Sequence, residues 1–119
     1  MRAKRFMRQN NTRYGVRNKP GQMNGTESKY AELLQVRKLA GEVILWHFES
    51  IKFKVAEQCL YIPDFAVWLA DGTMEIVDTK GGIISDDALV KIKAAAERYP
   101  QFTWVIEQYV KKTWTRRVF

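Results

Sequence analysis

The stretch YIPDFAVWLADGTMEIVDTKGG, residues 61–82, decides how this chain folds. Two short apolar runs, 65–69 and 74–77, are rich in aromatic and β-branched residues and are separated by Ala70-Asp71-Gly72. That pattern predicts strand, turn, strand. Neither run alternates apolar with polar, as expected of central strands covered on both faces. The same strands carry Asp64, Asp78 and Lys80, and buried charge is costly unless it is paired or holds a metal.

Turn length decides whether these groups meet. A two-residue Asp71-Gly72 loop would set Asp64 opposite Thr79, on the other face from Asp78. A three-residue loop with Gly72 in the left-handed conformation pairs Leu69 with Thr73 and brings Asp64 opposite Asp78. The three-residue loop is predicted. Lys80 then shares the Asp78 face by the two-residue period of a strand, and Glu75 points the other way with Phe65, Val67 and Val77.

The 119 residues suffice for one core and one domain, and 46% of them are hydrophobic. No apolar run approaches the roughly 20 residues of a membrane span, and the basic start lacks the apolar stretch of a signal peptide. A soluble, cytoplasmic protein is expected, in a bacterial or phage-infected host cell. One cysteine, Cys59, and one histidine, His47, exclude an intramolecular disulfide and a cysteine-histidine zinc site. A metal would therefore be held by oxygen, which favours Mg2+ or Mn2+. His47 is assigned a structural or surface role.

The net charge of +7 is uneven. Arg2, Lys4, Arg5, Arg8, Arg13, Arg17 and Lys19 share the first 19 residues with no acidic side chain, while residues 20–119 balance 13 basic against 13 acidic. Residues 1–24 thus form a basic arm suited to phosphate backbones, with a single domain at 25–119. The plainer reading of the arm is a solubilising tail. A second basic cluster, Lys111, Lys112, Arg116 and Arg117, is interleaved with Trp114.

Along the chain, Thr26 is a candidate N-cap for a helix over 26–40, with Glu27 in its first turn and Gly41 as its stop. Strands are expected at 43–48 and 51–56, before the hairpin. Ser85 or Asp86 caps a second helix reaching Tyr99, with Leu89, Ile92 and Ala96 inward and Lys91, Lys93 and Arg98 outward. A last strand covers 102–108, followed by a short extension over 110–119.

Pro63-Asp64, a gap of 13 residues and Asp78-Thr79-Lys80-Gly81 resemble the signature of the PD-(D/E)XK nucleases, with an ending typical of small phage-encoded members. Glu27 falls where that superfamily carries a helix-borne acidic residue. The resemblance covers roughly residues 25–108. It implies an α/β fold with a restriction-endonuclease-like core, a mixed β-sheet flanked by helices in α-β-β-β-α-β order. It implies Asp64, Asp78 and the Thr79 carbonyl as metal ligands, joined by Glu27, with Lys80 orienting the attacking water. Many relatives carry Glu at the place of Asp78.

The expected function is metal-dependent endonuclease cleavage of DNA, with a lean to branched, Holliday-junction-like substrates. A homodimer follows if two strands are cut symmetrically. Gly81 and Gly82 would let a phosphate backbone approach, and Lys91 and Lys93 are candidate phosphate contacts. Two other readings stand beside it. One is a non-catalytic nucleic-acid-binding module, and the other is a phage factor that binds a host repair protein.

Overall fold

A computed structural model describes residues 21–119. The seven basic residues of the arm, Arg2, Lys4, Arg5, Arg8, Arg13, Arg17 and Lys19, lie outside the described residues. The order is α1 (Gly25–Leu39), β1 (Val43–Phe48), β2 (Phe53–Ala56), β3 (Cys59–Tyr61), β4 (Phe65–Leu69), β5 (Met74–Lys80), α2 (Asp86–Arg98), β6 (Thr103–Val110) and β7 (Thr113–Val118). This is a mixed α/β architecture.

The hairpin forms as its turn chemistry dictates. Phe65 pairs with Val77 and Trp68 with Met74. The Leu69 amide donates to the Thr73 carbonyl at 2.9 Å, so Ala70-Asp71-Gly72 is a three-residue loop. Gly72 takes φ +93°, a conformation that favours glycine. Asp71 Oδ1 accepts from the Thr73 amide at 2.9 Å and hydroxyl at 2.7 Å, closing the turn. These bonds hold the Asp71 carboxyl below its usual range.

The main sheet runs β1-β4-β5-β6-β7. β5 and β6 are parallel, joined by α2, and the other neighbours are antiparallel. α1 buries Tyr30 and Leu34 against Val43, Phe65, Val67, Val77 and Val105 on one face. α2 buries Ile92 and Ala95 against Ala66, Ile76, Trp104 and Ile106 on the other. Both faces of β4 and β5 are covered, which explains their unalternating apolar runs.

Several boundaries differ from expectation. Asn24, not Thr26, caps α1: its side chain accepts from the Glu27 amide at 2.8 Å while Glu27 Oε1 accepts from the Asn24 amide at 2.9 Å. Residues 51–61 do not add a strand to the main sheet. β2 and β3 form a separate hairpin against α2, turning at Glu57-Gln58. With that hairpin set aside, the main sheet and its helices read α1-β1-β4-β5-α2-β6, the expected α-β-β-β-α-β order. The C-terminal extension is a full strand, β7, paired with β6.

Candidate functional site

The site lies where β1, β4 and β5 share one end of the sheet. One residue beyond the Phe65↔Val77 pair, Asp64 faces Asp78. One residue beyond the Phe48↔Phe65 pair, Glu49 faces Asp64, and its amide donates to the Asp64 carbonyl at 2.8 Å. Three acidic residues thus stand level with one another at the ends of three adjacent strands. Glu49 leaves the sheet with φ 50°.

Asp64 and Asp78 are only 5% and 6% exposed, so their oxygens must be satisfied. Asp64 Oδ2 accepts from the Thr79 amide at 2.8 Å and hydroxyl at 3.0 Å. Asp78 Oδ1 accepts from the Asp64 amide at 2.9 Å, and its Oδ2 takes a bond from the Tyr61 hydroxyl. The Asp64 carboxylate is therefore held by Thr79 on β5 and the Asp78 carboxylate by the Asp64 amide and Tyr61, which fixes both at this end of the sheet.

α1 delivers Glu27 to this end. Its first turn passes so close to the end of β5 that a Cβ on Gly81 would stand 2.6 Å from Thr26 Oγ1. The absence of a side chain at Gly81 thus serves helix packing, whereas Gly82 faces open space. Carboxylate oxygens of Glu27, Glu49 and Asp64 all lie within 4.8 Å of one another and could hold a metal ion. The oxygen-only donor set suits a hard divalent cation such as Mg2+ or Mn2+.

The structure thus brings Glu27 and Asp64 together and adds Glu49, while Asp78 sits beside them with its carboxylate turned to Tyr61. Lys80 is half-buried at the end of β5, level with Gln108 of β6. Gln108 Nε2 donates to the Gly82 carbonyl at 2.6 Å, tying down the glycine pair. Lys91 is on α2, 3.6 Å from Asp87, and Lys93 is exposed on the same helix. His47 is exposed on β1 with its ring 5.4 Å from that of Trp68.

Sequence reasoning missed Glu49 and Tyr61. Neither belongs to a local pattern: Glu49 meets Asp64 only because β1 pairs with β4 across the intervening β2-β3 hairpin. A second buried acidic group was also missed. Arg116 of β7 bonds Glu107 Oε2 at 2.7 Å and also Glu75 Oε2, and the Tyr30 hydroxyl donates to Glu107 Oε2 at 3.3 Å. Burial, followed by the nearby Glu107 and Glu75 charges, raises the Tyr30 phenol well above its ordinary value. Burial also raises the Glu107 carboxyl, against the opposing pull of Arg116.

Fold and site define the class: a mixed α/β protein with an acidic centre at one end of its sheet. The chain belongs to the DUF1064 family of proteins of unknown function, whose model matches residues 24–113. No curated protein and no solved structure matches it. Among the described residues, no helix is long and apolar enough to cross a membrane.

Proposed function

We propose that this protein is a metal-dependent DNA endonuclease of the PD-(D/E)XK type, hydrolysing phosphodiester bonds on branched DNA. One observation carries the reading. Glu27 and Asp64 converge from a helix and a strand far apart in sequence, at the sheet end that also holds Asp78 and Lys80. The α1-β1-β4-β5-α2-β6 order agrees with the restriction-endonuclease-like core.

In this reading Glu27, Glu49 and Asp64 hold Mg2+ or Mn2+, with Asp78 and the Thr79 carbonyl completing the set that the superfamily resemblance implies. A divalent cation there would neutralise charge on the phosphate and make a bound water more acidic. Lys80 orients the attacking water and stabilises negative charge as it develops. Tyr61 fixes the Asp78 carboxylate, and the Thr79 amide and hydroxyl fix that of Asp64, so the acidic centre is preorganised. Symmetric cutting of a junction requires two such centres and hence a homodimer.

A second reading, a non-catalytic nucleic-acid-binding module, draws on the same bonds. Both Asp78 oxygens already accept hydrogen bonds, as a purely structural carboxylate would. Fluorescent four-way junction, nicked duplex, linear duplex and single-stranded DNA, each in Mg2+, Mn2+ and EDTA, separate the two. Metal-dependent cleavage of the junction, abolished in Asp64→Ala and Asp78→Ala, is the expected result. DNA binding without cleavage of any substrate would leave the binding module.

A further inference from the structure

The β6-β7 hairpin ends in two lysines whose backbone is unsuited to them. Val110 pairs with Thr113, so Lys111-Lys112 is a two-residue loop, and the lysines take φ 54° and 62°. Positive φ at both central positions is the type I′ turn, ordinarily Asn-Gly or Gly-Gly. Lysine in the left-handed region costs stability that Asn-Gly would not, and such outliers cluster where function holds them.

The strands below the tip are packed, and the tip is well placed. Tyr109 and Trp114, opposite each other just below it, have ring centroids 4.8 Å apart, and Trp114 in turn meets buried Tyr30 at 5.3 Å. β6 runs parallel to β5 with Gln108 level with Lys80. The tip therefore projects beyond the same end of the sheet as the acidic centre. Lys111 lies three residues past Gln108, a reach of about 10 Å at strand rise. Lys29, in the α1 turn that the Gly81-Thr26 contact brings to this end, stands with Nζ 5.8 Å from the Tyr109 ring centre. All three lysines are exposed, and none is in an ion pair among the described residues.

We infer that Lys111, Lys112 and Lys29 form a clamp on the phosphate backbone of a DNA duplex, gripping it beside the acidic centre. The inference rests on the nuclease reading for its position relative to the scissile bond. A reach of about 10 Å matches about three steps along a duplex axis at ~3.4 Å per nucleotide of one strand. Lysine ammoniums on this tip act as point charges that position a backbone without reading bases.

The test is DNA binding by the full chain in EDTA, followed by fluorescence anisotropy on a labelled duplex across a salt series. Two double variants are compared with the wild type: Lys111→Gln with Lys112→Gln, and Lys111→Asn with Lys112→Gly. Both are expected to weaken binding and to make the log-log salt dependence shallower by about 2, close to one unit per lost phosphate contact. The Asn-Gly variant is also expected to melt at higher temperature, since its residues suit the turn, while the Gln pair keeps the strain. An unchanged salt slope in both variants, or a wild type that binds no duplex, overturns the clamp. Slope loss in a protein that cleaves nothing would sink the nuclease reading and keep the clamp. Cleavage with an unchanged slope would do the reverse.

Discussion

Two pairs of carboxylates are equally buried in one sheet and are compensated differently. Asp64, Asp78, Glu75 and Glu107 are all 5–6% exposed. Glu75 and Glu107 share the guanidinium of Arg116, and a guanidinium cancels charge. Asp64 and Asp78 accept bonds from two amides, the Thr79 hydroxyl and the Tyr61 phenol. Neutral donors offset desolvation without cancelling charge. The first pair is thus an anchor for β7, and the second is fixed in place by the neutral groups that bond it.

The largest effect that separates the pairs is expected at Lys80. Lys80→Met should keep the melting temperature and lose at least about a hundredfold in cleavage rate, the scale of removing one transition-state electrostatic contact. Wild-type rates in that variant would remove Lys80 from the reaction.

Arg116→Met should do the opposite. It leaves Glu75 and Glu107 buried without their cation and is expected to cost about 2–3 kcal/mol in urea unfolding. That lies below the range for breaking a fully buried pair, because Arg116 is itself partly exposed. Cleavage per folded molecule should survive. A loss of activity with stability intact would mean that the two clusters act as one.

The smallest effect is a pH dependence. Burial raises the Glu107 carboxyl, so above the ordinary glutamate range the folded state holds this proton more tightly than the unfolded chain does. Its contribution to stability is therefore greatest at low pH and declines as pH rises through the raised value. Glu107→Gln should flatten that decline in urea midpoints as pH rises above the ordinary glutamate range. An equal slope in both proteins would assign the decline to other groups. Among the described residues, Glu75 Oε1 is buried with no hydrogen-bond partner.

Much of the catalytic candidate was legible locally. The Ala70-Asp71-Gly72 turn set the hairpin register, the register set Asp64 opposite Asp78, and the two-residue strand period placed Glu75 on the α1 face. The first turn of α1 offered Glu27, although its cap is Asn24 because the Asn24–Glu27 capping box satisfies both backbone amides reciprocally. β3 was hidden because Cys59-Leu60-Tyr61 is too short to show a period. Arg116 looked like one more surface cation because nothing in its neighbourhood of sequence reveals the two carboxylates that it meets.

What the sequence by itself determined was therefore short-range: turn type, strand period, helix ends and the α/β class, each written in residues a few positions apart. Only the tertiary structure decided which distant elements share the sheet end. β1 pairs with β4 over an intervening hairpin and supplies Glu49. α1 leans on Gly81 and supplies Glu27, while β7 closes the far edge and carries Arg116 to Glu107. These meetings depend on which faces bury one another and how closely backbones approach, and neither is encoded in local spacing.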